Sequence, residues 1–219
     1  MKTNKIVLAA LALTLSFTQV TVMAGGEPSK KEATIAPTAL PVDPARSEIN
    51  WHATKVGGEH KGIVKLSKGA LQVDGNKLRG GDCEMDMTTL VDTDKDTPNT
   101  RLTNHLRSED FFSVEKHPSS TFRITKAEHI AKAKAGEPNY TVTGDLTIKG
   151  ITHPITFPAT VKISGNGAEA AGKMTINRLK YDIQFRSSLL GTAADKIIYD
   201  DFTIDVKLVA GTLKAVAGK

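Results

Sequence analysis

A strict alternation of apolar and polar residues is the feature that most constrains how this chain can fold. Across 140–148, Tyr140, Val142 and Leu146 alternate with polar side chains. A period of two places the apolar side chains on one face of a β-strand and the polar ones on the other. The same period recurs at 155–164 and 202–210, and shorter runs follow it at 49–56, 62–73, 83–87, 121–124, 170–176 and 181–185. These runs predict an all-β domain.

Turn-forming residues separate the alternating runs, as expected for strands joined by hairpins. The connections are Gly57-Gly58, Asp74-Gly75-Asn76, Lys149-Gly150 and Gly165-Asn166-Gly167. About eight amphipathic strands can form either a two-sheet sandwich or a closed barrel, and a barrel of that size is either filled by side chains or holds one small ligand. The residues alone leave these alternatives open.

One segment is predicted to be helical rather than extended. Asn99 or Thr100 can cap a short helix that carries Leu102 and Leu106 four residues apart. Asp110 can cap a second turn, which leads into Phe111 and Phe112. We expect this apolar insertion to cover the open end of a barrel.

The first 24 residues have the pattern of a secretory signal peptide. Lys2 and Lys5 precede an apolar run from Ile6 to Phe17, which is shorter than the roughly 20 residues needed to span a bilayer. We predict cleavage after Ala24 and export to the periplasm as a secreted protein. No second apolar run of membrane length follows the signal.

Residues 25–44 are predicted to be a flexible linker, because they contain Pro28, Pro37, Pro41 and Pro44 and few residues to bury. Residues 45–219 are then one domain. The chain has 29 basic and 24 acidic residues, and removal of Lys2 and Lys5 with the signal peptide leaves a charge near +3, an excess too small to predict a nucleic-acid partner. Cys83 is the only cysteine, so no intrachain disulfide can form, and its strand pattern predicts a buried, inert thiol.

Three separated motifs resemble those of the YceI-like family, the polyisoprenoid-binding, lipocalin-like proteins of the bacterial periplasm. The motifs are Asn104–Phe112, His117–Phe122 and Val142–Ile155, and Trp51, Lys55, His60 and Gly62 match the family's opening strand pair. The resemblance covers residues 43–210. The chain departs from the family pattern at 177–183, where Tyr181 and Asp182 stand in place of Phe and Gly, and at 191–201, a longer loop.

The resemblance implies an extended antiparallel eight-stranded lipocalin-like barrel with a long apolar cavity. It implies a binding or carrier protein for a polyisoprenoid, an isoprenoid quinone or a fatty-acid type of lipid, with no other cofactor. Members have no established enzymatic reaction, are loosely linked to stress response and are often dimers, so a homodimer is a further expectation.

Large apolar side chains on the inward faces and in the helical insertion are the candidate ligand-binding residues. They are Trp51, Leu106, Phe111, Phe112, Phe122, Ile148, Phe157, Tyr181, Ile183 and Phe185. His105 and Arg107 are candidates for contact with a ligand headgroup at the barrel mouth. The small residues Ala53, Gly62, Gly144 and Ala159 are expected to leave space inside. The alternative is that the aromatic residues fill a solid core.

Neither catalytic nor metal-ligating residues are predicted. The chain has no Gly-x-Ser-x-Gly sequence, and its six histidines lack the close spacing of a metal site. Residues 92–96 resemble the start of a calcium loop, but Thr97 and Thr103 occupy the positions that need Gly and Glu. Two alternative functions stay open: a stress-related protein-interaction module with a filled barrel, and an enzyme for a lipid-borne substrate that uses His105 with Asp110.

Overall fold

A computed structural model describes residues 36–95 and 99–212, in which the alternating runs form long antiparallel strands. The strands are β1 (Thr38–Pro41), β2 (Glu48–Lys55), β3 (Gly58–Asp74), β4 (Lys77–Asp92), β5 (Ser119–His129), β6 (Tyr140–Ile148), β7 (Ile151–Ser164), β8 (Asn166–Asn177) and β9 (Ile198–Thr212). One α-helix, α1 (Thr100–Arg107), connects β4 and β5. The predicted signal peptide lies outside the described residues.

Each strand from β2 to β9 pairs with the next along the chain, and β2 pairs with β9 to close the barrel. The closing register runs from Glu48 opposite Lys207 to Lys55 opposite Ile198. Closure pairs both sides of β2 and β9 and turns the apolar faces of the barrel strands inward. The predicted eight-stranded antiparallel barrel is confirmed, and the sandwich is not formed.

The predicted linker extends too far along the chain. Thr38–Pro41 form β1, which pairs with β3 and continues the position of β2 along the barrel wall. Leu40 and Val42 are buried, and Val42 also bridges to Ala210 of β9. The proline-rich composition of 25–44 obscured this short alternation of buried and exposed residues. Residues 25–35 lie outside the described part of the chain.

The alternating run at 181–185 was wrongly predicted to be a strand. Residues Arg178–Tyr181 form a 3-10 helix, whose start is capped by the Asn177 side chain accepting from Leu179 N. Asp182 then has a left-handed backbone, with φ of 54°. Tyr181 and Ile183 are buried as the pattern requires, but a tight turn rather than an extended strand buries them.

The helical insertion forms where it was predicted. Asn99 caps α1, with its Oδ1 accepting a hydrogen bond of 3.1 Å from Leu102 N. Asp110 does not cap a second helical turn; its carboxylate lies 2.9 Å from His105 Nε2 instead.

The helix follows β4 at the end of the barrel where β2, β4 and β8 end and β3 and β9 begin. We call this end of the barrel the mouth. Within residues 36–95 and 99–212, no helix has both the length and the apolar character needed to cross a membrane.

Candidate functional site

The inward strand faces enclose a continuous apolar cavity of about 180 Å³. By the same measure a single water needs only about 10–15 Å³. The cavity extends from Leu71 and Leu78, near the β3–β4 turn, to Leu106 and Phe111 at the mouth. Its surface is almost entirely carbon, so it suits a long hydrocarbon group and offers little to a polar one. The barrel therefore has the apolar cavity that the resemblance implies, and the alternative of a core filled by aromatic side chains is not formed.

Most of the predicted ligand-binding residues line this cavity. Those that do are Trp51, Leu106, Phe111, Phe112, Phe122, Ile148, Phe157 and Ile183. Phe185 lines a second chamber at the mouth instead. Tyr181 lines neither space: it is buried at the end of its 3-10 helix, with its ring edge-on to His153. The role of these residues in binding a ligand stays a prediction.

Tyr140 begins β6 at the end of the barrel opposite the mouth. Its side chain is buried, and its hydroxyl oxygen accepts a hydrogen bond of 3.2 Å from Leu78 N. The contact ties β6 to the start of β4 beneath the cavity.

Aromatic rings from neighbouring strands lie against two of the inward glycines, so these two positions do not leave open space. A Cβ at Gly62 would lie 2.5 Å from Cε2 and Cζ2 of Trp51, and one at Gly144 would lie 2.5 Å from Cζ of Phe122. Gly172 has the same relationship with Phe157, at 2.8 Å from Cε2. The expectation that Gly62 and Gly144 would provide space is therefore wrong, because they allow rings from neighbouring strands to lie close to the wall.

The two inward alanines behave differently from the glycines. Ala53 and Ala159 both line the apolar cavity, as expected for small residues that leave room inside the barrel. Ala159 is almost fully buried and lies opposite Tyr140 in the β6–β7 pair. A larger side chain at position 159 would therefore reduce the volume of the deep part of the cavity.

A second chamber of about 250 Å³ opens at the mouth, and we call it the mouth chamber. It shares Trp51, Ala53, Leu106, Phe111 and Ile198 with the apolar cavity, so the two spaces adjoin. The remaining lining residues are more polar. They are Thr54, Lys55, His60, Arg101, Leu102, His105, Phe185 and Arg186.

The two predicted headgroup residues have different positions. His105 lines the mouth chamber, where its ring lies edge-on to Phe111 and Phe185 and its Nε2 is 2.9 Å from Asp110 Oδ2. Arg107 lines neither the cavity nor the chamber. Its Nε donates to the Leu90 carbonyl at 3.0 Å, which joins α1 to β4. The structure therefore gives Arg107 a role in holding the helix in place, and its contact with a headgroup stays a prediction.

A buried arginine that the sequence reading missed organises the mouth. The Arg178 guanidinium donates to the carbonyls of Ile183, Phe185, Ile198 and Tyr199 and forms an ion pair of 2.9 Å with Asp200. Burial lowers the pKa of Arg178, and Asp200 opposes that effect. One side chain thus joins the 183–185 segment to the start of β9. A lone arginine carries no sequence signal for this role.

Cys83 lines the apolar cavity as a buried thiol, as its strand pattern predicts. Burial, with a smaller effect from the Asp82 carboxylate, raises its pKa to about 12. A nucleophilic cysteine needs a lowered pKa and access to solvent. This residue is therefore part of the cavity wall and is not a reactive group.

His60, Asp92 and Asp94 lie close together beside the mouth, with their potential ligand atoms all within 4.8 Å of one another. His60 Nδ1 is 2.6 Å from Asp94 Oδ2, and the buried Asp92 carboxylate accepts from the Asp94 and Asn99 amides. Burial acts to raise the pKa of Asp94, but hydrogen bonds from His60 and Lys61 outweigh it and lower the pKa. These contacts connect β3 to the segment before α1, a proximity that sequence spacing does not reveal.

The profile of the YceI-like domain matches residues 41–210. The chain belongs to the YceI-like family. A UPF0312 protein of Vibrio campbellii is 30% identical over 155 residues, which cover 68% of this chain and 77% of the relative. In the first three curated relatives the match spans 48–57% of their length, so the chain covers about half of each.

Two solved structures share the fold of this family member. BcnA of Burkholderia cenocepacia superposes with a TM-score of 0.60 at 24% identity, covering 77% of this chain and 99% of BcnA. A polyisoprenoid binding domain from Saccharophagus degradans superposes with a TM-score of 0.56 at 13% identity, covering 80% of this chain and 98% of that domain. Both confirm the lipocalin-like barrel expected from the motifs.

The segments that were expected to depart from the family pattern meet at the mouth. The first, 177–183, contains Arg178, and the second, 191–201, contains Asp200 and Ile198, which Arg178 contacts. Ile198 lines both the apolar cavity and the mouth chamber. The departures therefore concern the entrance more than the barrel wall.

Proposed function

We propose that this protein is a binding or carrier protein that holds one long-chain apolar or amphiphilic lipid inside its barrel. The lipid is of the polyisoprenoid, isoprenoid quinone or fatty-acid type. The observation that carries the proposal is the continuous apolar cavity, which extends from the mouth to the β3–β4 end. Burial contributes about 0.8 kcal/mol per CH₂ group, so a long chain binds tightly through contact area alone.

The comparisons support a binding role and not an enzymatic one. The chain belongs to the YceI-like family, and the domain from Saccharophagus degradans that shares its fold is a polyisoprenoid binding domain. The wall of the cavity offers a hydrocarbon chain apolar contact, and its one thiol, Cys83, is not activated for attack because burial raises its pKa. We propose that the lipid leaves the protein chemically unchanged.

We further propose a periplasmic location, which rests on the signal-peptide pattern of residues 1–24. Cell fractionation tests it: the protein should appear in the periplasmic fraction with a new amino terminus at Gly25. Recovery of the protein in the cytoplasm with Met1 intact would contradict the proposal. A homodimer and a stress-related role stay predictions.

Trp51 is the only tryptophan in the chain and lines the cavity, so its fluorescence is a direct probe of occupancy. Delipidated protein should bind a long polyprenol, an isoprenoid quinone or a long-chain fatty acid with a saturable change in Trp51 emission. A water-soluble prenol of one isoprene unit should bind far more weakly, because it buries few carbons. A failure of every long-chain ligand to bind would contradict the proposed function.

A further inference from the structure

We infer that the ligand is an amphiphile whose anionic head, a carboxylate or a phosphate, occupies the mouth chamber while its chain fills the apolar cavity. The inference rests on the proposed function and adds the class and orientation of the ligand. It assigns Trp51 as a hydrogen-bond donor to the head, and Lys55, Arg101 and Arg186 as its source of positive charge.

The first observation is an unsatisfied donor at the junction of the two spaces. Trp51 lines both the cavity and the mouth chamber, and only 7% of its surface is exposed. Its indole Nε1 is buried and has no hydrogen-bond partner among the residues that the structure describes. Buried polar groups are nearly always paired, and one that is not requires an explanation. A ligand acceptor atom at the junction would supply the missing partner.

The second observation is the charge of the chamber wall. Lys55 stands at the end of β2, Arg101 in the first turn of α1 and Arg186 after the buried 183–185 segment. Among residues 36–95 and 99–212, no carboxylate forms an ion pair with any of the three. The nearby acids Asp94 and Asp110 are instead bonded to His60 and His105.

Arg186 is held at the chamber by its backbone. Its φ is 53°, in the left-handed region that residues other than glycine rarely adopt. Its carbonyl accepts from Ile198 N at 3.0 Å, and its guanidinium carbon lies 5.2 Å from the centre of the Phe185 ring. Strained backbone persists where the surroundings impose it, and it clusters at ligand sites. Here it holds a cation on the aromatic wall of the chamber.

These features together fit an anion attached to a long chain. In the described part of the chain, the one cation in the wall of the apolar cavity, Arg178, already donates to carbonyls and pairs with Asp200, whereas the adjoining chamber offers three cations and one N–H donor. A neutral head would gain no electrostatic attraction from these three cations. A free anion would gain the charges but none of the apolar contact. The structure therefore favours a ligand that joins both parts.

The test is calorimetric titration of delipidated full-length protein with matched pairs: palmitate and hexadecanol, then geranylgeranyl monophosphate and geranylgeraniol. At low salt, the anionic member of each pair should bind at least about ten-fold more tightly. The variant Lys55→Gln/Arg101→Gln/Arg186→Gln should remove this preference and leave the alcohols within about two-fold. The preference for palmitate over geranylgeranyl monophosphate, or the reverse, identifies which anion the chamber fits.

A matched control removes the same charge from the outer wall: Lys65→Gln/Lys162→Gln/Lys207→Gln, all exposed. It should keep the anionic preference, because these residues do not line the chamber. The three chamber cations are themselves exposed, so their replacement should leave the melting temperature unchanged. Equal binding of anion and alcohol by wild-type protein would overturn the inference and leave the proposed function standing. If neither member bound, the proposed function would fail.

A separate readout follows Trp51 directly. Since the chain has a single tryptophan, ¹⁵N-labelled protein gives one indole N–H signal. Palmitate should move its proton downfield as the new hydrogen bond forms, whereas inorganic phosphate at the same concentration should not. An unchanged indole signal in the palmitate complex would overturn the donor role of Trp51. An equal shift with inorganic phosphate would overturn the requirement for a lipid chain.

Discussion

The indole of Trp51 lies directly on Gly62, its partner on the neighbouring strand β3. A Cβ added at Gly62 would lie 2.5 Å from two indole carbons and would also meet the Val91 carbonyl oxygen. Real Cβ contacts are essentially never so short. Gly62 is therefore required for the position of Trp51 at the junction of the cavity and the mouth chamber.

Gly62→Ala should lower the free energy of unfolding by about 1–3 kcal/mol or more, because the methyl group overfills a packed contact with backbone. Gly58→Ala, on the same strand, is the matched control. Its Cβ would meet only Lys55 Cε, at 3.4 Å, so stability should change little. Urea denaturation of both variants measures the difference. Similar stability for the two would show that the Trp51 contact adjusts freely.

Ala159→Phe should abolish lipid binding with little change in stability. Ala159 lines the deep part of the cavity, where a phenyl ring would occupy the space of the lipid chain and gain apolar contacts. A packed interior would instead lose about 1–3 kcal/mol from overpacking. Thr160→Phe, the next residue on the outward face, is the control and should keep its ligand. Both are compared by lipid titration and thermal melting. Marked destabilisation by Ala159→Phe, with ligand retained, would contradict a hollow barrel.

Arg178→Lys should destabilise the protein by about 2 kcal/mol or more, because it leaves buried partners of the guanidinium unsatisfied. Lysine keeps the charge but cannot supply the forked donors that satisfy several carbonyls and Asp200 at once. The control is Lys173→Gln, which breaks an exposed pair with Asp205 and should cost at most about 1 kcal/mol. Chemical denaturation compares the two. Equal costs would mean that the mouth segments hold together without Arg178.

The raised pKa of Cys83 predicts a loss of stability at alkaline pH. Burial raises the pKa from 9.0 to about 12, so the folded state favours the neutral thiol. This contribution is fully present below pH 9 and is lost as the pH rises towards 12. Between pH 8 and pH 10.5 the free energy of unfolding should therefore fall further for wild-type protein than for Cys83→Ala. Parallel pH curves would contradict the burial of the thiol.

The strands of the barrel could be predicted because alternation and burial coincide along β6, β7 and β9. The same reasoning failed at 181–185, since buried Tyr181 and Ile183 satisfy a period of two in a tight turn as well as in a strand. It also missed β1, because two buried side chains, Leu40 and Val42, stand among prolines. Short alternations do not distinguish these structures.

The composition of the site was less predictable than the fold. Periodicity identifies inward residues, but whether they leave a cavity depends on packing between strands that are distant in sequence. Lys55, Arg101 and Arg186 come from three separate segments, and only the folded chain brings them to one chamber. Sequence proximity favoured Arg107 instead, which the structure places against Leu90.

The most direct test of the account is the mass of whatever stays bound to the protein after mild, detergent-free purification. Organic extraction followed by mass spectrometry should recover one class of long-chain lipid at up to one molecule per barrel, and Ala159→Phe purified in parallel should yield none. Recovery of no lipid from wild-type protein, together with no binding of any polyprenol, quinone or fatty acid, would contradict the claim that the cavity holds a lipid.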